Sequence, residues 1–185
     1  MKNRNSEKND YILKIALTIF LRFGYRKTSM DDIAKAAGIT RQGLYFHFQN
    51  KEEILKESVR KALKDSMQSA TDALNENAPL EIRLFHALDA WFGLYVGLFG
   101  LEISDWDFQC RQLLSSEIDD SNLIFYEKLK SSLIQSTNIK SQDKIADTIV
   151  EILCTCGQSW KRSCSTHEQF AKKIQETIHL LLKSL

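Results

Sequence analysis

Proline is almost absent from this chain of 185 residues, which contains one proline, Pro79, and seven glycines. Because both residue types interrupt regular helices, their scarcity allows long helical segments. Strands are not indicated, because no stretch alternates apolar and polar side chains with a period of two. Apolar side chains recur instead every three or four residues. We therefore predict an all-α fold of about nine helices.

The four cysteines, one of which is Cys110, are too few for a disulfide framework in a chain of this length. Cys154, Cys156 and Cys164 lie close enough to His167 in sequence to suggest zinc. On a helix, however, Cys154 and Cys156 point in nearly opposite directions, which prevents joint coordination. We expect buried structural cysteines and no metal; a redox-active thiolate is the alternative that the sequence leaves open.

Long apolar runs are lacking as well. The longest, residues 90–101, has 12 residues and is too short to span a bilayer. The charged residues 2–10 do not resemble a signal peptide, so we expect a cytoplasmic protein without membrane association. No nucleophile–histidine–carboxylate set, phosphate-binding loop or paired-carboxylate pattern is recognisable. We therefore expect no enzymatic activity, no catalytic residues and no cofactor.

The net charge of +1 conceals an uneven distribution along the chain. Residues 1–60 carry 12 Lys and Arg against 7 Asp and Glu, whereas the remaining residues carry 13 against 17. A basic N-terminal third is suited to a phosphate backbone, and an acidic remainder is repelled by it. Ordinary scatter also produces an excess of this size, so the charge pattern supports nucleic-acid binding without establishing it.

Residues 28–51 carry the pattern of two short helices joined by a tight turn. Ser29 and Asp32 are spaced as a capping box for the first helix, and Gly38 is placed to end it. Thr40 is a suitable cap for the second helix, which we expect to begin at Arg41. This arrangement is a helix-turn-helix pattern, whose second helix can enter the major groove of DNA.

The outward side chains of that second helix match the chemistry of a duplex. Arg41 and Gln42 can form paired hydrogen bonds with base edges, and Gly43 allows the helix backbone to come close. Tyr45 and His47 can reach phosphates or a thymine methyl group. The complete predicted DNA-binding set is Thr28, Ser29, Thr40, Arg41, Gln42, Gly43, Tyr45, His47 and Lys51.

Lys51 belongs to this set because it lies at the positive end of the next helix, where a phosphate oxygen is favoured. A surface helix pair without a partner is the alternative, because a helix-turn-helix pattern alone is a weak signal.

Five motifs follow one another without a gap between residues 10 and 58: FGY at 23–25, TSMDDIA at 28–34, AGIT at 37–40, GLYFHF at 43–48 and NKEEIL at 50–55. Together they resemble the N-terminal domain of the TetR family of bacterial repressors. The resemblance implies a homodimeric repressor that binds a palindromic double-stranded operator and is released by a small-molecule effector. Residues 70–185 match the family only in length and helical character.

Two domains follow from this resemblance. Residues 1–58 form the helix-turn-helix domain, in which residues 1–8 are a mobile arm. Residues 59–185 form a helical ligand-binding and dimerisation domain. A helix over residues 51–74 reaches both domains and is the expected transmitter of an effector signal. A helical protein that has lost specific DNA binding is the alternative function, and the intact RQGLY sequence at 41–45 argues against it.

A strongly apolar helix is predicted over residues 80–101, where Gly93, Gly97 and Gly100 either allow close helix packing or leave room for a ligand. TetR-like proteins bind effectors in this middle region, so its aromatic side chains become candidates for a pocket wall; a plain core is the alternative. A flat apolar or aromatic effector would suit this wall, and Arg111 would admit an anion. The predicted ligand-binding residues are His86, Trp91, Tyr95, Phe99, Trp106, Gln109, Arg111 and Tyr126.

The last two helices are predicted over residues 141–164 and from residue 166, where Thr166 and Gln169 are spaced as a cap. TetR-like proteins dimerise through their last two helices. The resemblance therefore implies a homodimer interface here, with Ile149, Trp160, Ile178 and Leu182 as the expected contacts.

Overall fold

A computed structural model describes residues 4–98, 103–137, 144–183 and 185, without the side chains of residue 4 and residues 103–107. Within these ranges the secondary structure is helical, with no strand, which confirms the predicted all-α class. The helices are α1 (Arg4–Phe23), α2 (Met30–Ala36), α3 (Arg41–His47), α4 (Lys51–Leu74), α5 (Leu80–Leu88), α6 (Ile103–Ser136), α7 (Lys144–Ser163) and α8 (His167–Lys183), and the π-helix Asp89–Gly93 continues α5.

Helix α1 begins earlier than the sequence predicts. Residues 4–8, which we expected in a mobile arm, are helical. Residues 5–8 are exposed and carry no apolar side chain, so hydrophobic periodicity gives no information about their conformation. Glu7 lies in the first turn, where a negative charge is favoured by the helix dipole.

The predicted helix over residues 80–101 is not continuous. Helix α5 ends at Leu88, and the π-helix Asp89–Gly93 and a series of turns follow it. Gly97 has a φ of +81°, a left-handed conformation that an α-helix cannot contain. The apolar periodicity of these residues is real, but a run of glycines within it lowers the helix propensity.

The two described glycines of this region serve close packing. A Cβ at Gly97 would lie 3.0 Å from the carbonyl oxygen of Ser165, and one at Gly93 would lie 3.1 Å from Cε1 of Phe170. Both positions therefore favour the packing alternative over an open space for a ligand. Gly100 lies outside the described residues.

Helix α6 contains a break at Leu114, where φ is −143° and ψ is 19°. The sequence pattern predicts one helix over residues 105 to about 114 and another that begins at residues 119–120, which accounts for an expected total of about nine. The structure joins the two segments into one element that bends at Leu114.

The chain divides into two compact units. The first comprises the described residues of 1–64 and 98–118, and the second comprises those of 65–97 and 119–185. This division differs from the predicted single boundary after residue 58, because Cys110 and Leu114 are 6% and 2% exposed and pack in the core of α1 to α4. That packing joins segments more than 50 residues apart in sequence, and only tertiary contacts reveal it.

The second unit is built from the end of α4, from residue 65 onward, together with α5, the π-helix, the later part of α6, and α7 and α8. Its fully buried side chains include Phe125, Phe170 and Ile174. Helix α8 begins as predicted, because the Gln169 N–H donates to Thr166 Oγ1 at 3.2 Å. No helix in the described ranges has both the length and the apolar character needed to cross a bilayer.

Candidate nucleic-acid interface and ligand cavity

Helix α2 starts with the predicted capping box. The Asp32 N–H donates to Ser29 Oγ at 3.2 Å, and the Ser29 N–H donates to Asp32 Oδ2 at 2.9 Å. The Ser29 hydroxyl also donates to the same carboxylate oxygen, at 2.6 Å. These hydrogen bonds hold the pKa of Asp32 below its ordinary value, since they stabilise the charged form. The box therefore fixes the entry to the helix-turn-helix with a carboxylate at the positive helix end.

The turn between α2 and α3 also follows the sequence pattern. Gly38 has a φ of +67°, and Thr40 caps α3 by accepting the Gly43 N–H at 3.0 Å. A Cβ at Gly43 would lie 3.1 Å from that threonine hydroxyl. Gly43 thus leaves room for the cap, in addition to its predicted role of allowing close approach to DNA.

Helix α3 is held by Leu44 and Phe48, which are 0% and 4% exposed. These side chains face the core, whereas Arg41, Gln42 and Tyr45 are exposed to solvent. The Arg41 side chain is 59% exposed, although its Nη1 donates to Asp31 Oδ2 at 2.9 Å.

Two neighbours orient Arg41 on this surface. Its guanidinium carbon lies 5.7 Å from the ring centroid of Tyr45. The hydrogen bond with Tyr45 and the charge of Asp31 raise the pKa of Arg41 further above its ordinary value. The side chain is therefore charged at any physiological pH and partly ordered before it meets a ligand, which reduces the entropy lost on binding.

Phe46 is a surface residue that the sequence prediction omits. It is 80% exposed, and its ring meets that of His47 edge-on at 5.5 Å between centroids. The omission was avoidable, since Phe46 is two residues from both Leu44 and Phe48 and so lies on the opposite face of α3. An exposed aromatic side chain here is suited to apolar contact with a thymine methyl group.

His47 is partly buried next to this surface. Burial and the positive charge of Lys8 lower its pKa, so the imidazole is neutral near pH 7. Lys8 is exposed and belongs to the first turns of α1, which the sequence analysis assigned to a mobile arm. It therefore adds a positive charge to the surroundings of α3. A neutral imidazole has one N–H to donate to a phosphate oxygen.

The side chains of Thr28 and Lys51 make contacts within the chain that the DNA-binding prediction did not include. The Thr28 side chain is 2% exposed and its hydroxyl donates to the carbonyl oxygen of Gly24 at 2.8 Å, so it is not on the surface. Lys51 Nζ donates to the carbonyl oxygens of Tyr25 and Thr28, both at 2.8 Å. The ammonium also lies 4.3 Å from the ring centroid of Tyr25. Lys51 therefore fixes the segment between α1 and α2, and its phosphate contact stays a prediction.

Replacing Lys51 by Ala is expected to destabilise the first unit by about 1.5–3 kcal/mol, the usual contribution of hydrogen bonds to a charged group. Two carbonyl oxygens would lose their donor, and the Tyr25 ring would lose its cation. Urea unfolding followed by circular dichroism measures the change. Lys35→Ala, which removes an exposed lysine of α2, is the control and should lie within about 0.5 kcal/mol of the unmodified chain. Equal midpoints for both variants would contradict the anchoring role.

A cavity of about 900 Å³ lies in the second unit, between the π-helix, α6 and α7. Its lining residues are Trp91, Phe92, Asn122, Leu123, Phe125, Tyr126, Cys154, Thr155, Gln158, Ser159 and Arg162. Trp91, Phe92 and Phe125 form an aromatic floor in which each side chain is at most 7% exposed. The rings of Trp91 and Phe125 are stacked at 4.9 Å, and Phe92 meets Phe125 edge-on at 5.8 Å.

Helix α7 provides the polar side of the cavity. Thr155, Gln158, Ser159 and Arg162 are exposed and recur at helical spacing, so they lie along one face of α7. Gly157, on the inner side, lets the Phe92 ring approach the helix backbone, because a Cβ there would lie only 2.8 Å from Cε2 of that ring.

The polar groups among the aromatic side chains are already paired. Trp91 Nε1 donates to Asn122 Oδ1 at 3.3 Å, and the Tyr126 hydroxyl donates to the backbone carbonyl of Asp147 at 3.0 Å. Burial, followed by the charge of Asp147, raises the pKa of Tyr126 to about 12. Burial also raises the pKa of Cys154 to about 12. Both groups are therefore neutral at physiological pH.

The predicted ligand-binding residues separate into several groups. Trp91 and Tyr126 line the cavity, whereas Tyr95 is partly buried but is not among its lining residues. His86 is exposed, and its Nδ1 lies 2.8 Å from Oε2 of Glu76.

Four further positions do not lie where the prediction places them or cannot be placed. Gln109 and Arg111 belong to the first unit, so they do not belong to this cavity. Phe99 lies outside the described residues, as does the side chain of Trp106.

The ligand-binding prediction also omitted most of the residues that line the cavity. The polar face of α7 was missed because its sequence pattern is that of an ordinary solvated helix face. The proximity of that face to Trp91 depends on tertiary packing.

Two predicted dimer contacts are buried within their own chain. Ile149 and Ile178 are 4% and 0% exposed, because the apolar face that the sequence shows is the one packed in the core. Trp160 and Leu182 are partly buried, and Lys173 Nζ lies 5.5 Å from the Trp160 ring centroid. The exposed apolar side chains of these helices are others: Ile145, Ile152, Leu180 and, just beyond α8, Leu185.

All four cysteines are thiols rather than disulfides. Within the described ranges no three His, Cys, Asp or Glu side chains are grouped as metal ligands would be. Burial raises the pKa of Cys156 as well as that of Cys154, which opposes the thiolate that a redox sensor needs.

Comparison with known proteins identifies the N-terminal segment. Residues 12–58 match the family model described as bacterial regulatory proteins, tetR family. The chain is 34% identical over 84 residues to the HTH-type transcriptional regulator YhgD of Bacillus subtilis, covering 45% of this chain and 44% of that protein. It is 46% identical over 50 residues to IcaR of Staphylococcus epidermidis, a negative transcriptional regulator of the biofilm operon icaADBC, covering 27% of each chain.

These matches therefore span less than half of the length of the curated relatives. The fold extends further. The TetR-family regulator PfmR from Thermus thermophilus has a TM-score of 0.68 and 22% identity, with 94% of this chain and 95% of that chain covered.

Proposed function

Because the chain belongs to the TetR family of bacterial regulatory proteins, we propose that this transcriptional regulator is a repressor that binds a palindromic operator as a homodimer and is released by a small-molecule effector. The observation that carries the proposal is the surface of α3. Both helices of the helix-turn-helix are capped and have buried inner residues. The second helix presents Arg41, Gln42, Tyr45 and Phe46 to solvent. These are side chains that read bases and hold phosphates in a major groove.

Arg41 and Gln42 are assigned to base edges because they lie in the first turn of α3, the part of a recognition helix that enters the groove. Tyr45 and His47 are assigned to the backbone, and Phe46 to an apolar base edge. Lys51 contributes by holding the segment between α1 and α2, and its position at the start of α4 still allows a phosphate contact. The cationic side chains Lys8 and Lys35 add exposed positive charge to the same unit.

Arg41→Ala is expected to weaken binding to the preferred operator by about 1–3 kcal/mol and to relax the preference at one base position of each half-site. Selection of bound duplexes from a random pool identifies the operator, and titration of that operator measures the loss. Arg111→Ala removes an exposed arginine outside the helix-turn-helix and is the matched control. A selection that enriches no sequence with the unmodified chain would overturn the repressor proposal.

The homodimer is assigned to the outer face of α7 and α8. These helices are joined by only three residues, so they run antiparallel, and the start of α7 lies near the end of α8. Ile145, Ile152, Leu180 and Leu185 are between 37% and 68% exposed, an unusual concentration of apolar side chains on two adjacent helices. An isologous contact between two copies would bury this surface and relate two α3 helices by a two-fold axis.

The effector is assigned to the cavity of the second unit, and α6 and α4 are the proposed transmitters. Asn122 and Leu123 of α6 line the cavity, while the earlier turns of the same helix belong to the first unit. There Glu117 forms a paired ion contact with Arg60 of α4, at 2.8 and 2.7 Å. An effector that binds one arrangement of α6 better than another can thereby bias the arrangement of α4.

A further inference from the structure

We propose that the cavity of the second unit takes a flat, mainly apolar molecule that carries a single negative charge, with its ring system against the aromatic floor and its anionic group at Arg162. This inference deepens the proposed effector role and rests on it. It names the chemical class from the shape and charge of the lining.

The size and floor of the cavity fit a fused or linked aromatic ligand. A volume of about 900 Å³ is in the upper part of the range of small-molecule pockets. Trp91 and Phe125 are stacked with an interplanar angle of 15°, and Phe92 stands at 85° to Phe125. Flat ring systems gain from such offset and edge-on aromatic contacts.

The charge of the lining selects an anion over a cation. Among the described residues that line the cavity, Arg162 is the one with a formal charge. The neutral thiol of Cys154 and the neutral phenol of Tyr126 add none. A ligand anion therefore meets a guanidinium, whereas a ligand cation meets no carboxylate in this lining.

The carboxylate of Asp147, next to the cavity, is already paired within the chain. Its Oδ1 lies 2.5 Å from Lys130 Nζ and 3.3 Å from the Tyr126 hydroxyl. These contacts hold the pKa of Asp147 below its ordinary value, so the carboxylate is charged and neutralised by lysine. It is thus satisfied by its own neighbours and is not placed to attract a cationic ligand.

Arg162 has the donor chemistry that an oxyanion requires. It lies at one end of the polar face formed by Thr155, Gln158 and Ser159, whose side chains can donate further hydrogen bonds. A guanidinium carries five N–H donors, so a carboxylate or sulfonate can be added to the contacts that Arg162 already makes. The proposed ligand thus has its rings on the floor and its charge at the rim.

Two fluorescent probes with one skeleton test the charge preference: anilinonaphthalene sulfonate, an anion, and phenylnaphthylamine, its neutral counterpart. Each is titrated into the full chain without DNA. Both should bind once per chain, and the anion should bind about three- to tenfold more tightly, as expected for a partly exposed ion contact with hydrogen bonding. Trp91→Leu should weaken both probes.

Arg162→Gln should reduce the affinity for the anion to that for the neutral probe and leave the neutral probe unchanged. Arg111→Gln, which removes an exposed arginine of the first unit, should change neither affinity. Displacement of the neutral probe by naphthoate, but not by a naphthyl trimethylammonium ion, is expected for the same reason.

The inference is overturned if the two probes bind the unmodified chain equally, if Arg162→Gln weakens both alike, or if the ammonium compound displaces better than naphthoate. Failure of either probe to bind at the cavity, shown by no effect of Trp91→Leu, overturns it too. None of these outcomes involves DNA. Operator selection therefore judges the repressor proposal independently of the ligand class.

Discussion

A Leu180→Glu substitution should convert the chain to a monomer and reduce operator affinity by about a hundredfold or more, since two linked half-site contacts become one. Leu180 is 68% exposed in the single chain, so a glutamate there does not disturb the intramolecular core. In a two-fold contact the same residue meets the partner's α7 and α8, where a buried carboxylate without a partner is strongly unfavourable. The effect on assembly should therefore be large and the effect on folding small.

Leu94→Glu is the matched control for this variant. Leu94 is 58% exposed and belongs to the second unit, but it lies in the turns after the π-helix rather than on α7 or α8. Sedimentation at micromolar concentration and titration of the selected operator should separate the two variants. A Leu180→Glu chain that remains dimeric with unmodified operator affinity would place the interface elsewhere.

Local features of this fold were predictable from the sequence because neighbouring residues determine them. The caps need only residues three apart: Ser29 and Asp32 form the complete capping box, and the Gln169 N–H donates to Thr166 Oγ1. Gly38 is identified by its type alone, since a left-handed turn residue is most often glycine. The exposed face of α3 follows from the spacing of the buried residues around it.

Features that depend on distant contacts were not predictable. The role of Lys51 requires the carbonyl oxygens of residues 25 and 28, which only the folded chain brings to it. The apolar periodicity of α7 identifies an inner face, and the dimer prediction mistook Ile149 on that face for a surface residue.

The cavity illustrates the same limit. Arg162 and the other polar residues of α7 meet the aromatic floor only because Gly157 lets Phe92 approach the helix.

A Phe125→Ala substitution should destabilise the second unit by about 3–5 kcal/mol, the usual cost of removing a fully buried phenylalanine. Phe125 is 1% exposed, and its ring contacts both Trp91 and Phe92, so its removal also disrupts two aromatic pairs. The loss would leave an empty volume beneath the cavity floor that these rings cannot fill without moving. Probe binding at the cavity should be lost together with the stability.

Phe46→Ala is the same substitution made at a surface position, and it should affect operator binding rather than stability. Because the Phe46 side chain is 80% exposed, the substitution should change the free energy of unfolding by no more than about 0.5 kcal/mol while weakening operator binding.

Urea unfolding is best followed by far-ultraviolet circular dichroism, because Trp91 fluorescence responds directly to the loss of its stacking partner. Where two transitions are resolved, each is fitted by itself. The Phe125→Ala variant could instead unfold at the same urea concentration as the unmodified chain. The aromatic floor would then not contribute the packing energy assigned to it. The cavity would also lack the rigid wall that selective binding of a flat ligand requires.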